Sequence, residues 1–230
     1  MEDFSNKKVE SYDFLKKESV EQNFASINIA LLKGRHIQQD EFKLFQVIDH
    51  EIKHFKFYYK QLYQLNLKKG ISNQVQYFYL DFPDENKGKL YQIDRHKYLS
   101  ELQTVITLLL LNMYYSEYFS FAKEITWDDI RKEIDSGENS LLYQKIFFKK
   151  VKQGGYSDKE WSRAKTLIEN TIKSIEKMGW VERVKNSQGN SIQFIIRESI
   201  NRFAEMYQDE LTHFENFAEK ISQNRINGQL

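Results

Sequence analysis

Apolar residues recur with a helical period in the first half of the chain. Residues 24–32 predict a short helix that ends at Lys33-Gly34, because glycine accepts the left-handed turn that closes many helices. Residues 39–61 predict a longer helix, because their apolar positions are three and four residues apart. The members of this apolar stripe are Phe45, Ile48, Ile52, Phe55, Tyr59 and Leu62.

A β-hairpin is predicted directly after the long helix. The runs 62–67 and 75–82 are rich in apolar and aromatic residues, and the polar stretch 68–74 separates them, as in two strands joined by a turn. Two helices and a hairpin are most of a winged-helix unit. The single proline, Pro83, lies in the turn-like stretch 81–88, which is the predicted linker after this unit.

The second half of the chain repeats this order. A buried helix is predicted over 98–115, where apolar residues occupy several sides. A short strand at Ile125-Thr126 comes next, with Thr126 as the N-cap of a helix over 127–134. An amphipathic segment follows at 141–151.

A long helix and a second hairpin complete the pattern. Ser157 and Glu160 have the spacing of a capping box and predict a helix over 158–178. The strands are predicted at 180–184 and 192–196, with a turn between them at 186–190. Two closing helices are predicted at 200–207 and 210–221. The sequence therefore predicts a mainly α (α+β) fold of two tandem winged-helix domains with helical extensions. The domains cover residues 1–90 and 91–207, and a C-terminal helical tail covers 208–230.

The composition excludes several classes of protein. The absence of cysteine excludes a disulfide scaffold, a thiolate nucleophile and a cysteine-based metal site. The first residues are charged and contain no apolar signal core. The longest apolar stretch, 105–113, falls far short of the ~20 residues that span a bilayer. We therefore expect a cytoplasmic protein that does not act at a membrane.

Acidic and basic residues nearly balance, with 34 Lys and Arg against 33 Asp and Glu. A dedicated nucleic-acid binder usually has a basic excess, because its affinity comes largely from neutralised phosphates. Acids on the predicted helix 158–178 also argue against sequence-specific readout. Non-specific phosphate contact and a solvated lysine surface are the remaining interpretations. The local candidates for phosphate contact are the run Lys145, Lys149, Lys150 and Lys152, and the second hairpin with Arg183, Lys185 and, just beyond it, Arg197.

The segment His50-Glu51-Ile52-Lys53-His54 matches the zinc-protease pattern H-E-x-x-H. Such chemistry needs both imidazoles on one metal, with a third ligand in a cleft. In one continuous helix at roughly 100° per residue, His50 and His54 would lie opposite the apolar stripe and face solvent. We therefore predict no metal site, no catalytic residue and no cofactor, and the chain contains no Walker or dinucleotide-binding glycine motif.

Aromatic residues are too numerous around 55–63 for one face of one helix. Aromatic side chains are enriched at protein interfaces. The cluster Phe57, Tyr58, Tyr59 and Tyr63 is therefore the predicted contact for a protein partner, together with the edge of the first hairpin.

Four stretches occur in an order that points to one family. They are Leu31-Leu-Lys-Gly-Arg-His-Ile37, Tyr77-Phe-Tyr-Leu80, Ile175-Glu-Lys-Met-Gly-Trp180 and Phe194-Ile-Ile-Arg-Glu-Ser199, the last followed by Arg202-Phe203. In this order they resemble the MukE/MksE family over nearly the whole chain. The resemblance implies a dimeric, non-enzymatic subunit of a bacterial condensin-like SMC complex, associated with the nucleoid. It implies three partners: a MukF/MksF-like kleisin, through it a MukB/MksB-like SMC ATPase, and DNA.

The resemblance also implies where DNA is contacted. By position in the second winged helix, it indicates Arg163, Lys173 and Lys177, while Glu169 and Glu176 stand where MukE tends to be basic. Chromosome organisation and plasmid defence would use the same subunit. Two other functions are compatible with parts of the sequence: a free-standing winged-helix transcription regulator and a zinc hydrolase.

Overall fold

A computed structural model describes residues 12–82, 99–115, 124–184 and 192–227. Contacts within the chain divide it into two compact units, residues 1–97 and 98–230. The described residues are mainly helical, with one small antiparallel sheet in each unit. This confirms the predicted mainly α (α+β) class. No helix in these described ranges is long and apolar enough to cross a membrane.

The first unit begins with a short 3-10 helix at Asp13–Lys16. Its further elements are α1 (Glu18–Leu32), β1 (Ile37–Gln38), α2 (Phe42–His50), α3 (Ile52–Tyr63), β2 (Asn66–Ser72) and β3 (Val75–Asp81). The strands form an antiparallel sheet in the order β1-β3-β2. The two-residue strand β1 was not predicted. It places Ile37 opposite Phe78, and both side chains are fully buried.

The prediction of one continuous helix over 39–61 is wrong. The helix breaks at Glu51, whose φ of −106° and ψ of 23° end α2, and α3 starts at the next residue. The side chain of Glu51 is held at this break by Lys17, at 2.6 Å, and by His54, at 2.8 Å. The apolar residues keep their three- and four-residue spacing in the sequence across this break, so the stripe does not reveal it.

The first hairpin is tighter than predicted. Its turn consists of Asn73-Gln74 alone, and both residues have positive φ, 45° and 66°. Positive φ at both central residues is what a type I′ turn requires, and this turn matches the twist of the strands it joins. The predicted polar tip 68–74 is therefore mostly strand, and β2 begins at Asn66 instead of at residue 62.

The second unit starts with a buried helix and ends with two short helices and a longer one. Its elements are α4 (Glu101–Tyr115), β4 (Glu124–Thr126), α5 (Trp127–Ser136), α6 (Ser140–Phe148), α7 (Asp158–Lys177), β5 (Val181–Arg183), β6 (Gln193–Ile196), α8 (Asn201–Met206), α9 (Gln208–Thr212) and α10 (Phe214–Ile226). The sheet order is β4-β6-β5. The predicted turn 186–190 lies outside the described residues.

Both predicted helix caps in the second unit are confirmed. The Thr126 hydroxyl accepts the backbone N–H of Asp129, and the Asp129 carboxylate accepts the backbone N–H of Thr126. Ser157 and Glu160 form the same reciprocal arrangement at the start of α7. These boxes satisfy backbone donors that have no partner within the first helical turn.

The C-terminal region packs within the second unit. The ring of Phe214 lies 5.8 Å from that of Tyr143 on α6, and Ala218 and Ile221 on α10 are fully buried. The side chain of Arg225 donates a hydrogen bond to the carbonyl of Ile146. The domain limits at 90/91 and 207/208 stay predictions.

The stretch after β6 is a buried polar junction. The Ser199 hydroxyl donates to the Gly179 carbonyl at 2.7 Å, and the backbone N–H of Arg197 donates to the carbonyl of Trp180 at 2.9 Å. The carboxylate of Glu198 accepts a hydrogen bond from Tyr114 at the end of α4. These contacts join β6 to the ends of α7 and α4, so this segment supports the fold.

Candidate functional site

Helix α7 carries one row of exposed polar and basic residues. Three- and four-residue spacing places them on one face. They are Lys159, Arg163, Thr166, Asn170, Lys173 and Lys177. The row contains four cations and no carboxylate, and none of the four is ion-paired within the part of the chain that the structure describes.

Two acids of α7 are engaged beside this row. Lys152 donates to both oxygens of Glu160 at 2.7 and 2.9 Å. This contact has the largest effect on Glu160 and, together with the hydrogen bonds from Ser157, lowers its pKa to about 2. Glu176 accepts a hydrogen bond from Arg183 at 2.7 Å. The near-neutral total charge of the helix therefore understates the positive charge of its exposed row.

The other acids of α7 are placed outside the row. Asp158 is exposed in the first turn, where the helix dipole favours a negative charge. Glu169 is half-buried on the flank, one turn before Lys173. Separation by helical phase thus leaves Arg163, Lys173 and Lys177 together on a surface suited to phosphate groups.

The remaining predicted DNA contacts have mixed surroundings. Lys149 and Lys150 are exposed directly after α6, with Lys149 in the left-handed conformation that ends this helix, at φ 65°. Arg183 is exposed but bonded to Glu176. Lys185 lies outside the described residues.

The aromatic cluster of the first unit is largely core. Tyr58 is 6% exposed and Tyr59 is fully buried, and burial raises the pKa of both hydroxyls. Their rings pack against one another at 5.2 Å and against the neighbouring aromatic side chains of α1 and α3. Only Phe57 and Tyr63 of the four predicted contacts have accessible surface. Intramolecular packing thus accounts for most of the aromatic surplus.

The H-E-x-x-H segment spans the break between α2 and α3. His50 is exposed, as predicted. His54 is only partly exposed, because its ring stacks on Phe14 at 5.4 Å and its Nδ1 lies 2.8 Å from Glu51. The carboxylate of Glu51 also binds Lys17. The described ranges contain no group of three or more His, Cys, Asp or Glu side chains that could hold a metal ion.

A known protein family matches most of this chain. The model of the family "condensin complex protein MksE" matches residues 22–208. The chain belongs to the MksE family. This membership gives the protein an accessory role in a condensin complex of several subunits. Comparison with curated proteins gives no match.

A second basic row lies in the first unit of this MksE-family protein. Lys53, Lys56 and Lys60 are exposed along α3 at three- and four-residue spacing, on a different face from the buried Phe55 and Tyr59. The balanced charge of the whole chain hides this row. The local signal is the complete absence of Asp and Glu between residues 52 and 80.

Proposed function

We propose that this protein is the kleisin-binding accessory subunit of a bacterial condensin-like SMC complex. The family match across both units carries the proposal. The kleisin would be MukF/MksF-like and would connect the subunit to a MukB/MksB-like SMC ATPase. The absence of a Walker motif from this sequence fits an ATPase that resides on a partner. The proposed site of action is the cytoplasm, at the nucleoid.

The same topology in both units supports the tandem winged-helix assignment. In each unit a helix leads into a short strand, further helices follow, and two strands complete the sheet. The first strand pairs with the last in both cases, giving the orders β1-β3-β2 and β4-β6-β5. By this correspondence α3 and α7 are equivalent helices, each placed directly before its hairpin. We propose that they are the recognition helices of the two domains.

Contact with DNA is proposed for the exposed row of α7 in the assembled complex. Arg163, Lys173 and Lys177 are directed away from the core, and the adjacent acids Glu160 and Glu176 are bonded to other cations. Lysine and arginine bind phosphate in a sequence-independent manner. The proposed role is therefore to hold DNA in chromosome organisation or plasmid defence, without reading a specific site. Lys149, Lys150 and Lys185 are proposed additional contacts.

The kleisin contact is proposed for the first unit. Among its described strands, β2 is at the edge of the sheet and pairs with β3 alone. An exposed edge can accept an extended peptide through main-chain hydrogen bonds. Phe57 and Tyr63 offer partly accessible aromatic surface on α3, whereas Tyr58 and Tyr59 would support this surface from inside the core.

Co-expression with the kleisin encoded beside this protein tests the proposal. We expect one stable species in size-exclusion chromatography with light scattering, containing two copies of this chain. Phe57→Ala with Tyr63→Ala should weaken the complex, and Phe42→Ala, an exposed aromatic on α2, serves as the control. A chain that elutes apart from the kleisin would overturn the proposed function and favour a free-standing DNA-binding regulator.

A further inference from the structure

Helix α3 buries one face and exposes the other, which also carries the partly accessible aromatic side chains of the proposed kleisin contact. Phe55, Tyr58 and Tyr59 anchor it in the core of the first unit, with exposed fractions of 6% or less. Lys53 and Lys60 therefore stay at the surface, where Lys56 lies between them. All three ammonium groups lack an ion-pair partner within the described part of the chain.

The acids closest in sequence to this row are already bound. Asp49 binds Lys69 at 2.7 Å, and Glu51 binds Lys17 and His54. On the hairpin, Asp81 binds Lys68 at 2.8 Å. The two hairpin lysines thus neutralise neighbouring carboxylates, whereas the lysines of α3 keep their charge available.

We infer that the lysine row of α3 is a second binding surface for the backbone of duplex DNA, separate from the row of α7. The row rises over about 10 Å, at about 1.5 Å per residue, similar to the ~12 Å width of the major groove. It carries lysines without arginine, so the contact is to phosphate and is independent of sequence. The inference rests on the proposed function for its choice of DNA over an acidic protein segment.

The corresponding position in the second unit supports this choice. Helices α3 and α7 each precede the hairpin of their unit, and each carries its cations on one solvent-exposed face. Two such surfaces in one chain would hold DNA at two points. The slope of log K against log salt should then correspond to more phosphate contacts than either row can make alone.

The test measures binding of the full chain, alone and with its kleisin, to a random duplex of about 30 base pairs between about 50 and 200 mM salt. The variants are the triple Lys53→Gln, Lys56→Gln, Lys60→Gln and the double Lys173→Gln, Lys177→Gln. The control is Lys33→Gln, Lys43→Gln, Lys220→Gln, which removes the same charge from exposed positions outside both rows. Circular dichroism establishes that each variant is folded.

The triple variant should bind DNA at least tenfold more weakly, and the slope of log K against log salt should fall by about 2.7, or 0.9 for each lost phosphate contact. The control should stay within twofold. An unchanged slope and affinity in the triple variant would overturn the inference, as would a wild-type chain that binds no DNA under any of these conditions. Loss of kleisin binding with intact DNA binding would assign the row to an acidic protein segment. A kleisin that fails to bind the wild-type chain would overturn only the proposed function.

Discussion

The carboxylate of Glu176 accepts a hydrogen bond from the guanidinium of Arg183 at 2.7 Å, which joins α7 to the strand that follows it. Both side chains are partly exposed, so the pair contributes little to stability in water. Its effect is on charge distribution. The pair neutralises an acid next to the exposed row of α7 and also occupies an arginine of the second hairpin.

Replacement of Glu176 by Gln should strengthen DNA binding. The change removes one negative charge and releases Arg183, so affinity should rise by two- to fivefold and the salt slope should grow by up to about 1. Fluorescence anisotropy over a salt series measures both. Glu219→Gln, an exposed change on α10, is the control. Equal gains in the two variants would mean that net charge alone matters and that the Glu176–Arg183 pair has no specific role.

Replacement of Thr126 by Ala should destabilise the second unit by about 1 kcal/mol, because the N-cap of α5 is lost. All three tryptophans lie in this unit, at 127, 161 and 180, so tryptophan fluorescence during urea unfolding follows it selectively. Thr166→Ala is the matched control, since this threonine is exposed on α7 and alanine is the better helix former. If Thr126→Ala and Thr166→Ala unfolded at the same urea concentration, the cap at Thr126 would not contribute to stability.

Replacement of Gly70 by Ala should disturb the first hairpin. A Cβ atom at this position would lie 2.4 Å from the buried ring of Tyr77, and overpacking of this kind costs roughly 1–3 kcal/mol. Faster amide hydrogen exchange in β2 and β3 would report the effect. Gly154→Ala should be nearly neutral, because nothing lies within 4 Å of its Cβ position. Unchanged protection in the Gly70 variant would contradict the described packing.

Glu160 should titrate well below an ordinary glutamate. The Lys152 contact and the hydrogen bonds from Ser157 favour its charged form and hold its pKa at about 2, against a usual 4.5. Its contribution to the start of α7 is therefore complete above pH 4.5 and is lost as the pH falls toward 2. NMR titration of the carboxyl carbon measures this. Lys152→Met should raise the pKa, whereas Lys149→Met should not, and equal effects would exclude a specific ion pair.

The two histidines of the H-E-x-x-H segment should differ in their effect on folding. His54→Ala removes the stack on Phe14 and the contact with Glu51, so we expect faster hydrogen exchange in α3. His50→Ala should leave exchange unchanged, because this side chain is exposed. Elemental analysis of the purified wild-type protein should find no stoichiometric zinc. Bound zinc that is lost in both variants would instead indicate a metal site.

Local sequence patterns predicted the features that depend on neighbouring residues within one helix. The capping boxes at Thr126 and Ser157 follow from hydrogen bonds between residues three positions apart, so sequence spacing reveals them. The burial of α4 follows from apolar residues on all its sides. The break at Glu51 could not be predicted in this way, because Lys17, which binds its carboxylate, is distant in sequence and meets it only in the folded unit.

The sequence alone determined the class of fold, most of the order of helices and strands, and the family, because these depend on period, local capping and collinear stretches. Tertiary structure decided which charged and aromatic residues reach solvent. It placed Tyr58 and Tyr59 in the core and paired Glu176 with Arg183. It also left the lysines of α3 unopposed. Net charge and residue counts add all side chains together, whereas a phosphate backbone meets only those that helical phase and packing leave at the surface.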